Sequence, residues 1–521
     1  MKTIVKLIAF VLTVVMLLSV TACGDKKHNN AAVDKYAGKQ VIASEMRTVG
    51  DRQVVYHNGK PYVFNPMHFR YDYLLNTFSP ETADKVLEDG MRLIKEAGFN
   101  AVMIYVRWGN IYKDGKYDLT YFTKQFKLAE KYNLNVHIVW TGTNNCGFGG
   151  FQKWQTDREK YPALMGADGK PVLGTGYASG KEIPDFSNTI YSDEEGAAIL
   201  EICKWLYDND KARRTVAIQL QDEPDNSEGG NGQWMSQFTS YVGHLNRLAK
   251  IVKESPYSMV AYVNIMSVGY NDTIEGYTYA QRMKYVAEQE YIDFVGYSYY
   301  TTTSKTEMKE LEFKGHFPCM VGFSAAPFSV PAQTLDGLAN GYGLCYYQFF
   351  DTGSADTGFY SLASTDKVDG TVYGKRNATT ILNDTPFIGA LENRTSELID
   401  MNKSINALAE LLAVTDIKMM SAINNKQKVN DDVKKTIDGE KITFIYKNAS
   451  VKYGAVGMAL KANDGNFYAF ATMTSDFTFT SNITVTVGKY VDGKWVSEGE
   501  VAVNNNTFTA EGCKAYQIVI K

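Results

Sequence analysis

What this chain has little of narrows it first. Among 521 residues only six are histidine and six cysteine. The histidines do not pair with acids or cysteines at ligand spacings, so no metal centre is expected. Apart from Cys23, treated below, the cysteines are Cys146, Cys203, Cys319, Cys345 and Cys513. An odd, widely spaced set fits neither a disulfide framework nor a zinc motif. Buried free thiols are the expectation, with Cys319 and Cys345 left open as one bridge. The sequence has no basic stripe, which argues against nucleic acid as a partner. No glycine-rich phosphate turn follows the first strand, and no cofactor is expected. Long apolar runs are missing too, with one exception: past residue 22, nothing approaches the ~18 consecutive apolar residues that a membrane span needs.

The exception opens the chain. Residues 1–22 carry Lys2 and Lys6, then an apolar run from Leu7 to Val20, and end at Val20-Thr21-Ala22-Cys23. This resembles the lipobox of bacterial lipoproteins, which would make Cys23 the lipidated first residue of the mature protein. A plain secretory signal or a membrane anchor is the alternative, but the run is short for a span and small residues precede Cys23. The expectation is thus an extracytoplasmic protein held to a membrane by a lipid on Cys23. Removing residues 1–22 takes away two lysines and no acid, leaving 52 basic and 58 acidic residues, a net charge of −6. Residues 23–45 read as the lipidated cysteine and a polar tether.

From there the chain alternates. RQVVYHNGKPYVF, from Arg52, has two strand-like runs around Asn58-Gly59, a hairpin signal. Ser79-Pro80 starts a helix with apolar positions Leu87, Met91, Ile94 and Ala97, and Gly98 stops it. Strand-like runs YVFNPMHF, NAVMIYVRW, NVHIVW, VAIQLQ, SMVAYVNIM, DFVGYSYY, PCMVGFSAA and GLCYYQFF are separated by helical patterns, one of them opened by an apparent capping box of Ser192 and Glu195. Eight such units over roughly 350 residues predict a closed (β/α)8 TIM barrel at residues 46–412. A doubly wound open sheet is the competing architecture. A last long helix follows from Leu391, and residues 413–521 switch to short alternating runs with turns at Asp464-Gly465 and Asp492-Gly493. They predict an all-β sandwich, whose plainer role is structural and whose other reading is sugar binding.

In a barrel of this kind chemistry sits where strands end. VAIQLQDEPD, from Val216, closes the fourth strand with Asp222 and Glu223, and Pro224 ends pairing because it has no amide hydrogen. A carboxyl held in a partly dry cleft beside a second one gains proton affinity from desolvation and like charge. That is what a general acid needs near neutral pH. The plainer reading of the same decapeptide is an acidic loop cap or an ion pair with a helix.

These residues resemble the clan of retaining glycoside hydrolases built on the (β/α)8 barrel, especially its β-galactosidase-like members, in which an Asn-Glu pair closes the fourth strand. Asp222-Glu223-Pro224 stands at that place, NGKPYVFNPMHFR is similar to the segment entering the first strand, EKYPALMGADGKPV to the third-strand insertion, and DFVGYSYY to the sixth strand. The resemblance covers residues 53–350. It implies an oligo- or polysaccharide substrate, Glu223 as acid/base and Asp222 where an asparagine would contact the sugar 2-hydroxyl. It also implies a glutamate nucleophile ending the seventh strand. Here the sequence departs: PCMVGFSAAP has Phe323 or Ser324 at that place, and no acid occurs from residue 315 to residue 333. Retaining hydrolysis needs two carboxyl groups ~5–5.5 Å apart, and inversion tolerates ~6.5–9.5 Å. Asp351, ending the eighth strand, is the best-placed substitute, and Asp356 and Glu275 are weaker choices.

Flat rings stack on the apolar faces of sugars while amides bond their rims. Trp108, Trp140 and Tyr299 at strand ends, Asn144 and Trp154 on the long insertion after the third strand, and Gln221 beside the acids are the binding candidates; Arg107 and His68 also end strands. Two functions remain in play: a surface lipoprotein that hydrolyses glycosidic bonds, and a non-catalytic glycan binder that uses the same cleft.

Overall fold

The eight strands close into a barrel. In the computed structural model the described residues are 35–113, 115–142, 157–174, 180–225, 232–266, 269–299, 304–324, 330–351, 360–361, 395–424, 432–447 and 456–521. Residues 40–521 form one contiguous body; of residues 1–39 only 35–39 are described, and they make a turn. Cys23 and its signal lie outside the described residues. The barrel strands are β1 (Met67–Phe69), β2 (Ala101–Arg107), β3 (Asn135–Thr141), β4 (Thr215–Leu220), β5 (Val260–Ile265), β6 (Phe294–Ser298), β7 (Cys319–Ser324) and β8 (Gly343–Tyr347). Each pairs in parallel with the next, and β8 returns to β1 through Tyr346 and Met67. This is a TIM barrel rather than an open sheet.

Local chemistry explains the helices between them. In α1 (Pro80–Glu96) the Ser79 hydroxyl accepts the Thr82 amide, Pro80 fills the first turn, and Gly98, at φ 82°, ends the helix where a side chain would be strained. The other helices of nine or more residues between barrel strands are α2 (Thr120–Lys131), α3 (Ile190–Asn209), α4 (Phe238–Glu254), α5 (Tyr279–Ala287) and α6 (Val330–Ala339). One expectation fails in α3. The helix begins at Ile190, whose amide is taken by the Asn188 side chain, so Ser192 and Glu195 are buried inside it and cap nothing.

Alternation along each strand separates two apolar regions. Met103, Tyr105, Val139, Tyr262, Phe294 and Val321 point into the barrel, while Ile104, Val106, Ile138, Trp140 and Leu220 face the helices. The base of the barrel is plugged by Phe64, edge-on to Tyr262 and Phe294 with ring centroids 5.6 and 5.5 Å away. Val55 of the hairpin Arg52–His57/Lys60–Pro61 joins it, with Asn58 and Gly59 both at positive φ as the two-residue turn requires. Residues 41, 42, 44 and 45, expected in the tether, lie in strands of the folded body. Val41 and Ile42 pair with Tyr257 and Ser258, and the Ser44 hydroxyl donates to the Val216 carbonyl. Cys319 and Cys345 are free and buried in the barrel interior, their sulfurs 4.0 Å apart. That is twice the length of a ~2.05 Å bridge. Cys203 is a third buried free thiol and Cys513 is exposed, while Cys146 lies outside the described residues.

Beyond the barrel, helices Thr395–Ala407 and Ala409–Val414 replace the single long helix expected, and the second runs through residues 412 and 413. The all-β part starts at Met420: a six-stranded and a four-stranded antiparallel sheet face each other across Phe444, Phe477 and Phe508. The other face of the larger sheet, through Met458, Leu460, Tyr468 and Phe470, belongs to the same apolar core as Met401, Ile405 and the barrel's outer layer. Asn402 and Asn406 donate to the carbonyls of Ala97 and Gly98 at the end of α1, 2.8 and 2.7 Å away.

Candidate active site

The backbone turns sharply where β4 ends. Gln221 and Glu223 both adopt left-handed conformations, φ 65° and 48°, a region that costs non-glycine residues about 1–3 kcal/mol each. The turn is held at both ends. The Gln221 amide donates to the Trp140 carbonyl (2.9 Å), the Gln221 side chain accepts from the Gly142 amide (3.1 Å), and four residues on the Asp225 carboxylate accepts the Met266 amide (2.7 Å). Gln221 breaks the alternation of the strand, so its side chain points outward while Asp222 returns to the interior side with Gln219.

Three strands converge on the acidic pair. The Ser298 hydroxyl of β6 donates to Glu223 Oε1 at 2.8 Å. Asn264 Nδ2 of β5 donates to Ser298 Oγ at 3.0 Å and reaches Asp222 Oδ1 at 3.4 Å. Gln219 Nε2 of β4 donates to the same Asp222 oxygen at 3.0 Å. Asp222 and Glu223 are half-buried, whereas Gln219, Asn264 and Ser298 are buried. Burial pushes the Asp222 carboxyl up, against the opposing field of Arg70, the bonds from Gln219 and Asn264 and the weaker pull of Arg107. A carboxyl so placed holds a proton more readily than its free counterpart.

A second cluster lies beside it, after β1. The Arg70 guanidinium grips Asp72 with two bonds, 2.9 and 2.7 Å, and Arg107 from β2 reaches the same carboxylate. Burial alone would raise the Asp72 carboxyl; the two guanidinium groups, Arg70 foremost, outweigh it and hold it below the usual range. Arg70 is also packed between the rings of Tyr73 and Tyr105, 3.9 Å from each centroid. His68 bonds the Tyr105 hydroxyl through Nδ1 at 3.0 Å, and burial together with Arg70 pushes it down to about 3, so the ring is neutral at physiological pH. Arg107 and His68 are thus engaged within the barrel's upper layer.

The aromatic candidates fall elsewhere, which corrects the expectation. Trp140 and Gln221 are fully buried and both donate to Glu195 of α3, at 2.8 and 2.5 Å. Trp108 is 3% exposed and lies in the layer between barrel and helices, its ring centroid 6.5 Å from that of Trp140. Tyr299 lines a cavity of about 230 Å³ with Lys305, Met308 and Asp336, outside the barrel wall. The reason is period two. Arg107, Thr141 and Ser298 take the inward positions at their strand ends, so Trp108, Trp140 and Tyr299 face the helices. Trp108 and Trp140, buried in that layer, present no ring face to the mouth. The side chains that do gather near the acids, Gln219, Asn264, Ser298, Arg70 and Tyr105, include several that sequence reading passed over. Ser298 takes the inward position one residue before the tyrosine chosen.

Asn144, Trp154 and Asp356 lie outside the described residues. Asp351 belongs to a two-residue strand, Phe350–Asp351, paired with Tyr360–Ser361 apart from the barrel sheet, and its side chain is outside the described set. Glu275 accepts from the amide and hydroxyl of Thr239 in α4, at 3.0 and 2.6 Å. The backbone of β7 is in place, and by sequence it brings no acid to the mouth.

No known protein family matches the sequence, and no curated protein matches it. Among solved structures, the chain is similar to a family 39 glycoside hydrolase from the gut symbiont Bacteroides cellulosilyticus WH2 at 13% identity and a TM-score of 0.40, over 90% of this chain and 84% of that one. It is similar to the β-mannanase of Thermomonospora fusca, solved with mannotriose, at 10% identity and a TM-score of 0.40, over 65% of this chain and 95% of the other. It is also similar to a β-galactosidase from the psychrophilic Marinomonas ef1 at 10% identity and a TM-score of 0.43, over 68% and 61% of the two chains.

Proposed function

We propose that the chain hydrolyses O-glycosidic bonds of an oligo- or polysaccharide outside the cytoplasm, tethered to a membrane by a lipid on Cys23. One observation carries the chemistry: Glu223 ends β4 at the mouth of a closed barrel, half-buried, with its carboxyl bonded to Ser298 and Asp222 beside it. In this reading Glu223 gives its proton to the departing oxygen, and Asp222, raised by burial, contacts a sugar hydroxyl. The second carboxylate comes from beyond β8, with Asp351 first, and Asn144 on the insertion after β3 serves the sugar rim. Since β7 supplies no acid, an activated water and inversion suit this site better than a covalent intermediate.

That same absence favours the second reading, a barrel that binds glycans without cleaving them. Hydrolysis of a panel of aryl glycosides and oligosaccharides by the wild type, Glu223→Gln and Asp351→Asn separates the two. Turnover by the wild type with loss in Glu223→Gln supports the hydrolase. No turnover combined with measurable sugar binding supports the binder. Metabolic labelling with a radioactive fatty acid, lost in Cys23→Ala, tests the anchor, and a wild-type chain that takes up no label rules it out.

A further inference from the structure

Behind the mouth, in the layer between barrel and helices, sits a fully buried carboxylate that the proposed reaction does not use. Glu195 projects from α3 and gathers donors from two strand ends: Trp140 Nε1 from β3 at 2.8 Å and Gln221 Nε2, just past β4, at 2.5 Å. His244 Nε2 of α4 lies 3.3 Å from its other oxygen. Arg247 Nε gives to Ser192 Oγ at 2.8 Å, and Ser192 Oγ lies 3.0 Å from His244 Nδ1. Serine, histidine and acid in this order resemble a nucleophilic triad. Yet Ser192 is 1% exposed and already accepts from Arg247, so no substrate reaches it.

The space around Glu195 is shaped for it. A Cβ added to Gly142 would fall 2.0 Å from Glu195 Oε1, so only glycine at 142 admits the carboxylate. Gly142 in turn donates its amide to the side chain of Gln221. Every hydrogen-bonding group of Gln221 is thereby engaged: its amide by Trp140, its carbonyl by Gln219 Nε2 at 3.1 Å, and its side chain by Gly142 and Glu195. Gln221 is the left-handed residue that sends Asp222 and Glu223 into the mouth. An apolar side chain would fill this layer at less cost than a buried carboxylate, and the hydrogen bonds Glu195 makes are spent on the turn.

We propose that Glu195 is the positioning residue for the acidic pair: it clips the end of β3 to the end of β4 and holds Gln221 in the conformation that aims Glu223 at the leaving oxygen. This rests on the reading of Glu223 as proton donor, and the test separates the two. Kinetics of Glu195→Leu and Glu195→Gln are compared on a dinitrophenyl glycoside, whose leaving group departs unaided, and on the phenyl or alkyl glycoside of the same sugar, which needs the proton. Misplacing Glu223 lowers kcat/KM on the poor leaving group about tenfold or more beyond the loss on the good one, with kcat rather than KM carrying the change. Glu195→Gln keeps an acceptor oxygen for Trp140 and Gln221 and restores most of it. Equal losses on both substrates overturn the proposal while leaving the hydrolase intact. If the wild type cleaves nothing, the hydrolase reading fails on its own, and a crystal structure of Glu195→Leu still decides the positioning. Gln221 leaving positive φ and the Ser298–Glu223 bond breaking support it, and both unchanged overturn it. Should Glu195→Leu not fold, Gln221→Leu removes the other end of the same bond and is read identically.

Discussion

The hydroxyl of Ser298 lies 2.8 Å from Glu223 Oε1, joining the end of the sixth barrel strand to the end of the fourth. Ser298 in turn accepts from Asn264, so one carboxyl is oriented by residues of two other strands. Ser298→Ala removes this donor from Glu223. The expected outcome is a loss of about tenfold or more in kcat with little change in KM, read on the substrate that the wild type cleaves best. An unchanged kcat would place Glu223 outside the reaction.

Asp222→Asn tests the environment of the pair. The Asp222 carboxyl is pushed up by burial, so its folded value lies above its unfolded one. Its ionised form is then disfavoured in the folded protein near neutrality, and that penalty disappears as pH falls through the unfolded value. Asp222→Asn should raise Tm at pH 7, with the advantage shrinking as pH falls toward ~4 and absent below it. Equal melting temperatures at pH 7 would contradict the burial argument. The asparagine also reproduces the pair of the resembled clan, and hydrolysis should survive the change.

Asp72 carries the opposite sign. Arg70 and Arg107 hold its carboxyl below the usual range despite burial, so its contribution is present above the unfolded value and is lost as pH falls through the folded one. Asp72→Asn leaves two buried guanidinium groups without their shared anion, a loss of about 3–5 kcal/mol at neutral pH. Urea titrations at pH 7 check it, and a loss under 1 kcal/mol would show the cluster to be dispensable.

His316 gives the chain an acid-sensitive spot. Burial pushes it down to about 4, although its Nε2 lies 3.2 Å from the Val295 carbonyl. The unfolded chain takes up a proton near pH 6.5 that the folded chain refuses, so stability falls between pH 6.5 and 4. The slope from this one ring is about 1.4 kcal/mol per pH unit. Relative to wild type, His316→Gln should flatten the stability profile by that amount in this window. Parallel profiles would rule the ring out as a source of acid lability.

Some of this was legible in the sequence because the physics is local. Ser79-Pro80 and Gly98 mark the ends of α1, and Asn58-Gly59 makes a hairpin, wherever the rest of the chain goes. The strands could be counted because each is a short apolar run. Which side of a strand faces the barrel could not be read in the same way: β2 and β3 are apolar on both sides, and alternation within such a run has no polar mark to set its phase. Trp108, Trp140 and Tyr299 were placed in the mouth for that reason. Glu195 was hidden by a coincidence of spacing, since Ser192 and Glu195 have the form of a helix cap while the Asn188 side chain does the capping. The ring of Gln219, Asn264 and Ser298 is assembled from three strands, and a one-dimensional reading has no distance between them.

The shared packing of the larger C-terminal sheet with helix Thr395–Ala407 bears on how such a chain could be dissected or inherited. Met458, Leu460, Tyr468 and Phe470 on one side, and Met401 and Ile405 on the other, form a greasy seam. A truncation after Val414 would lay half of it bare to water. The sandwich is accordingly no detachable module that recombination could swap for another, and a barrel expressed without it should be recovered as aggregate.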